Sequence, residues 1–415
     1  MTEQKSRLLI TNAHLLHPER SELTEESWIE AVDGRITASG SGHPPSSSCD
    51  NVRVLDAAGS TVMPGLIDAH VHILLTTIDF TEFHSWSASY TAVRALREAG
   101  RMLRRGFTTI RDVGGADYGM AKVLDEQLMA GPRLIFGGSA LSQTGGHGDL
   151  RSLSDRSVSC CGNGVHFTRI ADGVAAVRAA ARDEFRKGAH HLKIMASGGV
   201  ASPHDEISAV QYSDEELRAA VEEADNHNRY VTVHAYHPRA INRALNAGVR
   251  CVEHGNLVDD ETIKLLVEKD AFLVPTLVTY EQLALQGRQS GLSESSCRKI
   301  DDVRFAGLDG LERAHKAGVN LVYGSDLLGS MHPHQLNEFA LRAQVQPNVD
   351  IIRSATTTAA RLLRMEGQIG TLSIGAHADM LILRGDPLQD ISVLTSPEKQ
   401  LRYVIRAGLP IEVAE

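Results

Sequence analysis

The sequence predicts an α/β fold, a (β/α)8 barrel carrying a small discontinuous β-sandwich domain formed by both termini. Two textures along the chain predict it. Between about residues 65 and 370, short strand-like runs alternate with amphipathic segments, the pattern of parallel strands joined by crossover helices. At both ends, short strands follow one another with only turns between them. The expected division gives residues 1–64 and 371–415 to the β-sandwich and 65–370 to the barrel. Length agrees, because a barrel takes about 250 of the 415 residues and leaves enough for one smaller domain.

The N-terminal part reads as the strands LLITNAHLL, WIEAVDGRITASG and VRVLDAAGSTVM, with Asp33-Gly34 as a hairpin turn and GSGHPPSSSCD as a surface loop. Eight strand candidates follow: LIDAHVH (66–72), FTTIRDV (107–113), RLIFGG (133–138), HLKIMAS (191–197), YVTVHAY (230–236), RCVEHG (250–255), AFLVPTL (271–277) and NLVYGSD (320–326). Eight such units suit a closed TIM barrel. Gly106, Gly188, Gly248 and Gly318 stand where helices should stop just before a strand. Ser213 with Glu216 forms a capping box, after which Leu217, Ala220, Val221 and Ala224 share one helix face. Residues 139–169 are rich in Gly and Ser and lack periodicity, which predicts a loop that is either functional or disordered; SQTGGHGD would set His147 above the barrel mouth, or carry it as an incidental histidine. ADMLILRG and LRYVIRAG then return to strand texture, and the two termini are expected to pair.

A net charge of -10 without a basic patch argues against nucleic acid or an anionic membrane surface and for a small-molecule partner. The first residues lack the long apolar run of a secretion signal, and no stretch approaches membrane-spanning length, so a cytoplasmic location is expected. Five cysteines (Cys49, Cys160, Cys161, Cys251, Cys297) without CxxC spacing argue against a disulfide framework or a thiolate zinc site.

MPGLIDAHVH, from Met63 to His72, places His70 and His72 two residues apart on an extended strand, so both leave the same face and can grip one ion. Further chemistry-bearing residues fall on other barrel strands, where active sites gather at the C-terminal ends. Lys193 is in strand four, His234 nears the end of strand five, His254 ends strand six and Asp326 ends strand eight. Imidazoles with a carboxylate suit a divalent ion such as zinc. One ion would need His70, His72 and Asp326, and a second, short of ligands, His234 and His254. An unmodified Lys193 ammonium would repel both, but burial drives lysine toward the neutral amine, which can react. Tyr236 shares the parity of His234 and is placed to contact substrate. His237, before Pro238, reads as structural or surface; His332 and His334, in MHPH, read as loop residues that face substrate at most. His190 and His191 read as core or surface, and Arg104 and Arg105 as solvated helix charges.

PGLIDAHVH, KIMASGGV, VTVHAY, VEHGNL and GSD resemble the amidohydrolase superfamily. SQTGGHGD, KIMASGGVASP, HAYHPRAI and CVEHGNLVDD are similar to its metal-dependent Xaa-Pro dipeptidase and carboxypeptidase branch, which includes ochratoxin-hydrolysing relatives. The resemblance covers nearly the whole chain. It implies two divalent ions, zinc favoured, bridged by Lys193 carboxylated on its amine. His70, His72 and Asp326 are then assigned to the buried ion and His234 and His254 to the exposed one. Asp326 is implied as general base and acid toward a bridging hydroxide, and His147 as a group that helps polarise the scissile carbonyl. Ochratoxin-hydrolysing members tend to carry HAH where this chain has HAY, which favours the dipeptidase side. The implied substrate is an Xaa-Pro dipeptide or N-acyl amino acid, and a homo-oligomer is compatible with the scaffold. A deaminase or cyclic-amide hydrolase on the same scaffold is a second enzyme reading, and mononuclear deaminase-type sites would not need Lys193 in a bridging place. The same scaffold also accommodates an ochratoxin-type amide hydrolase or a non-catalytic scaffold protein, and the occupied ligand positions argue against the second of these.

Overall fold

The computed structural model describes residues 6–44, 52–151, 154, 167–200, 202, 205–287 and 294–413. Cys49, Cys160 and Cys161, with much of the predicted loop at 139–169, lie outside the described residues.

Both termini contribute to one eight-stranded mixed sheet. They meet where Thr61–Pro64 runs antiparallel to Met380–Leu383, with Met63 opposite Leu381. The predicted hairpin joins Glu22–Val32 to Arg35–Ser41 through Asp33 (φ 50°) and Gly34 (φ 75°), the pair of positive φ angles that matches strand twist in a two-residue turn. Leu8, Ile10, Leu15, Ile29, Ile36 and Met380 pack into a core of their own, separate from the cluster under the helices.

The middle of the chain holds a three-stranded parallel sheet (Leu66–Val71, Phe107–Asp112, Arg133–Phe136) and a seven-stranded parallel one. The second runs in spatial order through Thr168–Ile170, Ala140–Ser142, Leu192–Met195, Val231–Ala235, Cys251–His254, Phe272–Val274 and Asn320–Leu321. Backbone bonds also run between the two sheets. Ala69 N–H donates to Tyr323 O (2.9 Å) and Asp326 N–H to His70 O (2.8 Å) on one side, and His190 N–H to Phe136 O (2.8 Å) on the other. Amphipathic helices cover the strands; Ala88–Arg104 buries Ala95, Leu96, Ala99, Met102 and Leu103. The Ser213/Glu216 capping box is formed, and Gly248 caps Pro238–Ala247 in a left-handed conformation.

Four expectations change. The predicted loop after strand three is flanked by Ala140–Ser142 and Thr168–Ile170, which pair in parallel; three-residue strands are too short to carry a readable period. Strand seven stops at Val274, because Pro275 has no N–H for the ladder, and Leu277 already opens the helix Leu277–Gln286. Strand eight is regular only over Asn320–Leu321: beyond it Val322 N–H bonds Leu273, Tyr323 N–H bonds Ser354 and Asp326 N–H bonds His70, which serves three neighbours rather than one ladder. Arg105 is no solvated charge. Its side chain is 13% exposed and donates to Gln335 Oε1 (2.8 Å) and Glu98 Oε1 (2.9 Å). Among the described residues, no helix is long and apolar enough to cross a membrane.

Candidate metal centre

All six residues of Leu66–Val71 are buried, so whatever polar groups this strand carries must find partners inside the protein. Asp68 does so by accepting from Ser325 Oγ (2.5 Å) and Gln335 Nε2 (2.8 Å), which draws the segment leading to Asp326 against strand one. His70 and His72 follow on the same face. His70 gives Nδ1–H to Glu253 Oε2 (2.7 Å) and His72 gives Nδ1–H to Gly114 O (3.0 Å), so in both rings Nε2 carries the free lone pair. Those two atoms lie 3.3 and 3.5 Å from Asp326 Oδ1. Among the described residues, this is the trio of His, Cys, Asp and Glu side chains whose ligand atoms converge within 4.8 Å of one another. Burial works against charge on His72, lowering it to about 3, whereas Asp326 stays below the usual carboxylate range because the His70 and His72 rings and Lys193 outweigh its burial.

Lys193 is second in the strand Leu192–Met195 rather than at its end. It is fully enclosed, and desolvation lowers its amine to about 8. His234, fourth of five in Val231–Ala235, donates Nε2–H to Gly198 O (3.2 Å) and keeps Nδ1 as acceptor. The His254 ring lies 4.6 Å from that of His234 and 5.0 Å from that of His70, and its Nδ1 bonds Thr276 Oγ1 and Tyr280 Oη, both at 2.8 Å. Strand alternation alone would not bring it there. Glu253 and Cys251 occupy the inward positions of Cys251–His254, and His254 joins them only because its φ of 73° turns the chain at the strand end. Asp326, at φ 50°, makes a similar turn.

These side chains form the floor of a cavity of about 670 Å³. His147 and Tyr236 line it. The His147 ring stacks on His234 at 4.2 Å and its Nδ1 bonds Ser202 Oγ (2.8 Å), which in turn bonds Asp205. The Tyr236 hydroxyl is engaged with Tyr280 Oη at 2.9 Å. Leu75, Ile78, Phe80, Phe167, Leu283 and Leu328 give the cavity apolar lining, alongside the charged Asp149 and Arg151. His332 does not face this space, since it is buried and donates to Leu75 O (3.3 Å). His237 caps Pro238–Ala247 and His191 stacks on Tyr230, in keeping with structural roles. Sequence reasoning missed Arg111, Glu253 and Tyr280. The first two left a signal, a charge in the middle of an otherwise strand-forming run, where a covered parallel sheet has no solvated face to receive it.

Residues 61–409 match the model of the amidohydrolase family. The Aspergillus niger protein named ochratoxinase is 33% identical over 361 residues, covering 84% of this chain and 75% of that one. A solved prolidase complexed with N-methylphosphonate-L-proline superimposes with a TM-score of 0.94 at 43% identity, covering 98% of this chain and 100% of that one. A Xaa-Pro dipeptidase with methionine bound in its active site gives 0.88 at 28% identity, with 98% and 100% covered. With the family model matching most of its length, the chain belongs to the amidohydrolase family and is a hydrolase acting on carbon–nitrogen bonds.

Proposed function

We propose that this chain is a binuclear, zinc-preferring amidohydrolase that cleaves the bond to a C-terminal amino acid in Xaa-Pro dipeptides or N-acyl amino acids. The observation that carries the reading is the convergence of His70, His72 and Asp326 on the floor of a cavity of about 670 Å³. The donor set fits a divalent ion, because hydrogen bonds at Nδ1 leave both Nε2 lone pairs aimed at the same carboxylate. His70, His72 and Asp326 would hold one ion, and His234 and His254 the other. Neutral Lys193 would add its nitrogen to carbon dioxide and release a proton to solvent, giving a carbamate whose single negative charge, shared by two oxygens, would suit the pair of cations. Such ions, when bound, polarise a carbonyl and lower the pKa of water to roughly 7.

The chain's own groups then divide the work. Asp326, 19% exposed at the cavity floor, takes a proton from the attacking water and returns it to the departing nitrogen. His147, on the wall beside His234, stabilises the carbonyl oxygen as charge develops on it. With its proton on Nδ1, His254 donates to Tyr280 and Tyr280 to Tyr236, which frees the Tyr236 O–H for the substrate carboxylate. The two parallel sheets act as one closed barrel, with the terminal sheet as a sandwich, divided at 1–64, 65–370 and 371–415.

The likeness to the prolidase carrying a proline phosphonate supports the proline side of the reading, and the apolar lining suits an uncharged acyl or side-chain group. The ochratoxinase likeness keeps an ochratoxin-type amide as a second substrate class. The test is hydrolysis of Xaa-Pro dipeptides and N-acyl amino acids by zinc-loaded protein, followed as free amino acid. Release of proline or another C-terminal amino acid is expected. A protein with two zinc ions per chain that frees only ammonia, from ring or amidine substrates, would overturn the assignment in favour of a deaminase.

A further inference from the structure

We propose that Glu253 is a positioning residue, whose carboxylate, anchored by Arg111, fixes the His70 ring and presents its Nε2 to a divalent cation. The inference rests on the reading of His70 as a metal ligand. Glu253 and Arg111 are both 0% exposed, at the floor of the site and out of contact with the cavity. Glu253 Oε2 accepts His70 Nδ1–H at 2.7 Å, while Oε1 accepts Arg111 Nη2–H at 2.6 Å and the Thr232 hydroxyl. The same Arg111 gives its Nε–H to Ala69 O, the carbonyl immediately before His70. His70 is thus gripped twice by one ion pair, at its ring through Glu253 and at its backbone through Arg111.

Burying two charges costs desolvation that an apolar pair of equal volume would not incur, and such replacements are often neutral or stabilising to a fold. The cost is intelligible if the pair serves the histidine. A carboxylate on Nδ1–H fixes the tautomer and the ring plane and makes Nε2 a stronger donor to a metal. His72 shows the contrast, since a neutral carbonyl, Gly114 O, holds its Nδ1. The pair therefore singles out one ligand of the two on strand one.

Glu253→Gln keeps the size and loses the charge. Glu253→Asp keeps the charge for Arg111 and draws the carboxylate back from His70 by about one methylene length. Each is stripped of metal and titrated with zinc against a chromophoric chelator, and its melting temperature is read with and without zinc. The expected result is an affinity for one ion weaker by about 10- to 100-fold. The rise in melting temperature on adding zinc should shrink with it. Either variant binding both ions as tightly as wild type, with only the metal-free melting temperature lowered, would make the pair structural and overturn the inference. Should Glu253→Gln fail to fold, Glu253→Asp decides. A wild-type chain that takes up no zinc would instead overturn the metal-centre reading, and the inference with it.

Discussion

Lys193→Met keeps an aliphatic stem of similar length and removes the amine. In the metal-free protein that amine is enclosed at 1% exposure, and burial lowers its pKa from 10.5 to about 8. A shift of that size is worth about 3 kcal/mol, at ~1.36 kcal/mol per unit. Below pH 8 the lysine is charged in both folded and unfolded chains, so the folded chain bears the whole cost. From pH 8 to 10.5 the folded chain gives up its proton first and the cost shrinks; above 10.5 it is gone. Metal-free Lys193→Met should therefore be more stable than metal-free wild type by up to about 3 kcal/mol at pH 7, or ~3–4 °C in melting temperature at this chain length. At pH 9.5 the gap should fall to about 1 kcal/mol. Supplying zinc and bicarbonate should reverse the order, because the variant cannot form the carbamate and loses the pair of ions. Thermal melts in chelator and carbon-dioxide-depleted buffer, with metal content by mass spectrometry, read all three effects. A variant no more stable at pH 7, a gap that ignores pH, or two retained ions would refute the reasoning.

Asp326→Asn should lower turnover by about 10²–10⁴-fold while His70 and His72 still hold much of the metal, and wild-type-like turnover would remove the proton-transfer role. Gly324→Ala would put a Cβ 2.3 Å from Val274 Cγ1 and 2.7 Å from His70 Cβ. A loss of about 1–3 kcal/mol in stability should come with weaker zinc retention, and an unchanged metal content would show that this close approach does not set His70. Reloading of metal-free protein at fixed dissolved carbon dioxide should quicken about tenfold per pH unit up to pH 8 and level off above it, because only the neutral Lys193 amine adds carbon dioxide. A rate that is flat from pH 6 to 9 would exclude Lys193 as the modified group.

Local chemistry made much of the fold legible in the sequence. Asp33-Gly34 can take the two positive φ angles of a hairpin, Ser213 and Glu216 can satisfy each other's backbone donors, and alternating strand and helix textures have a parallel solution. What stayed hidden was decided by several neighbours at once. The run after Leu321 looks like strand in its letters, yet its N–H groups go to Leu273, Ser354 and His70 in turn. Arg105 looks like any charge at a helix end, and only the fold brings Gln335 and Glu98 to it.

The site divides along the same line. His70 and His72 were readable because two-residue spacing on a strand is a geometric statement, and the structure points both Nε2 atoms at Asp326. His254 and Asp326 were found by their place near strand ends, although alternation at Cys251–His254 would have turned His254 away once Glu253 faced inward. Both residues adopt positive φ, 73° and 50°, a conformation that His and Asp reach more readily than most side chains but still at a cost. A strand that must offer a buried carboxylate to His70 and, at the next residue, an imidazole to the cavity cannot do so while remaining regular. The left-handed turn at His254 is what lets Glu253 and His254 serve the same interior from adjacent positions. Side-chain type and spacing therefore locate such a centre, whereas the number of groups that reach it depends on where the backbone departs from its regular form.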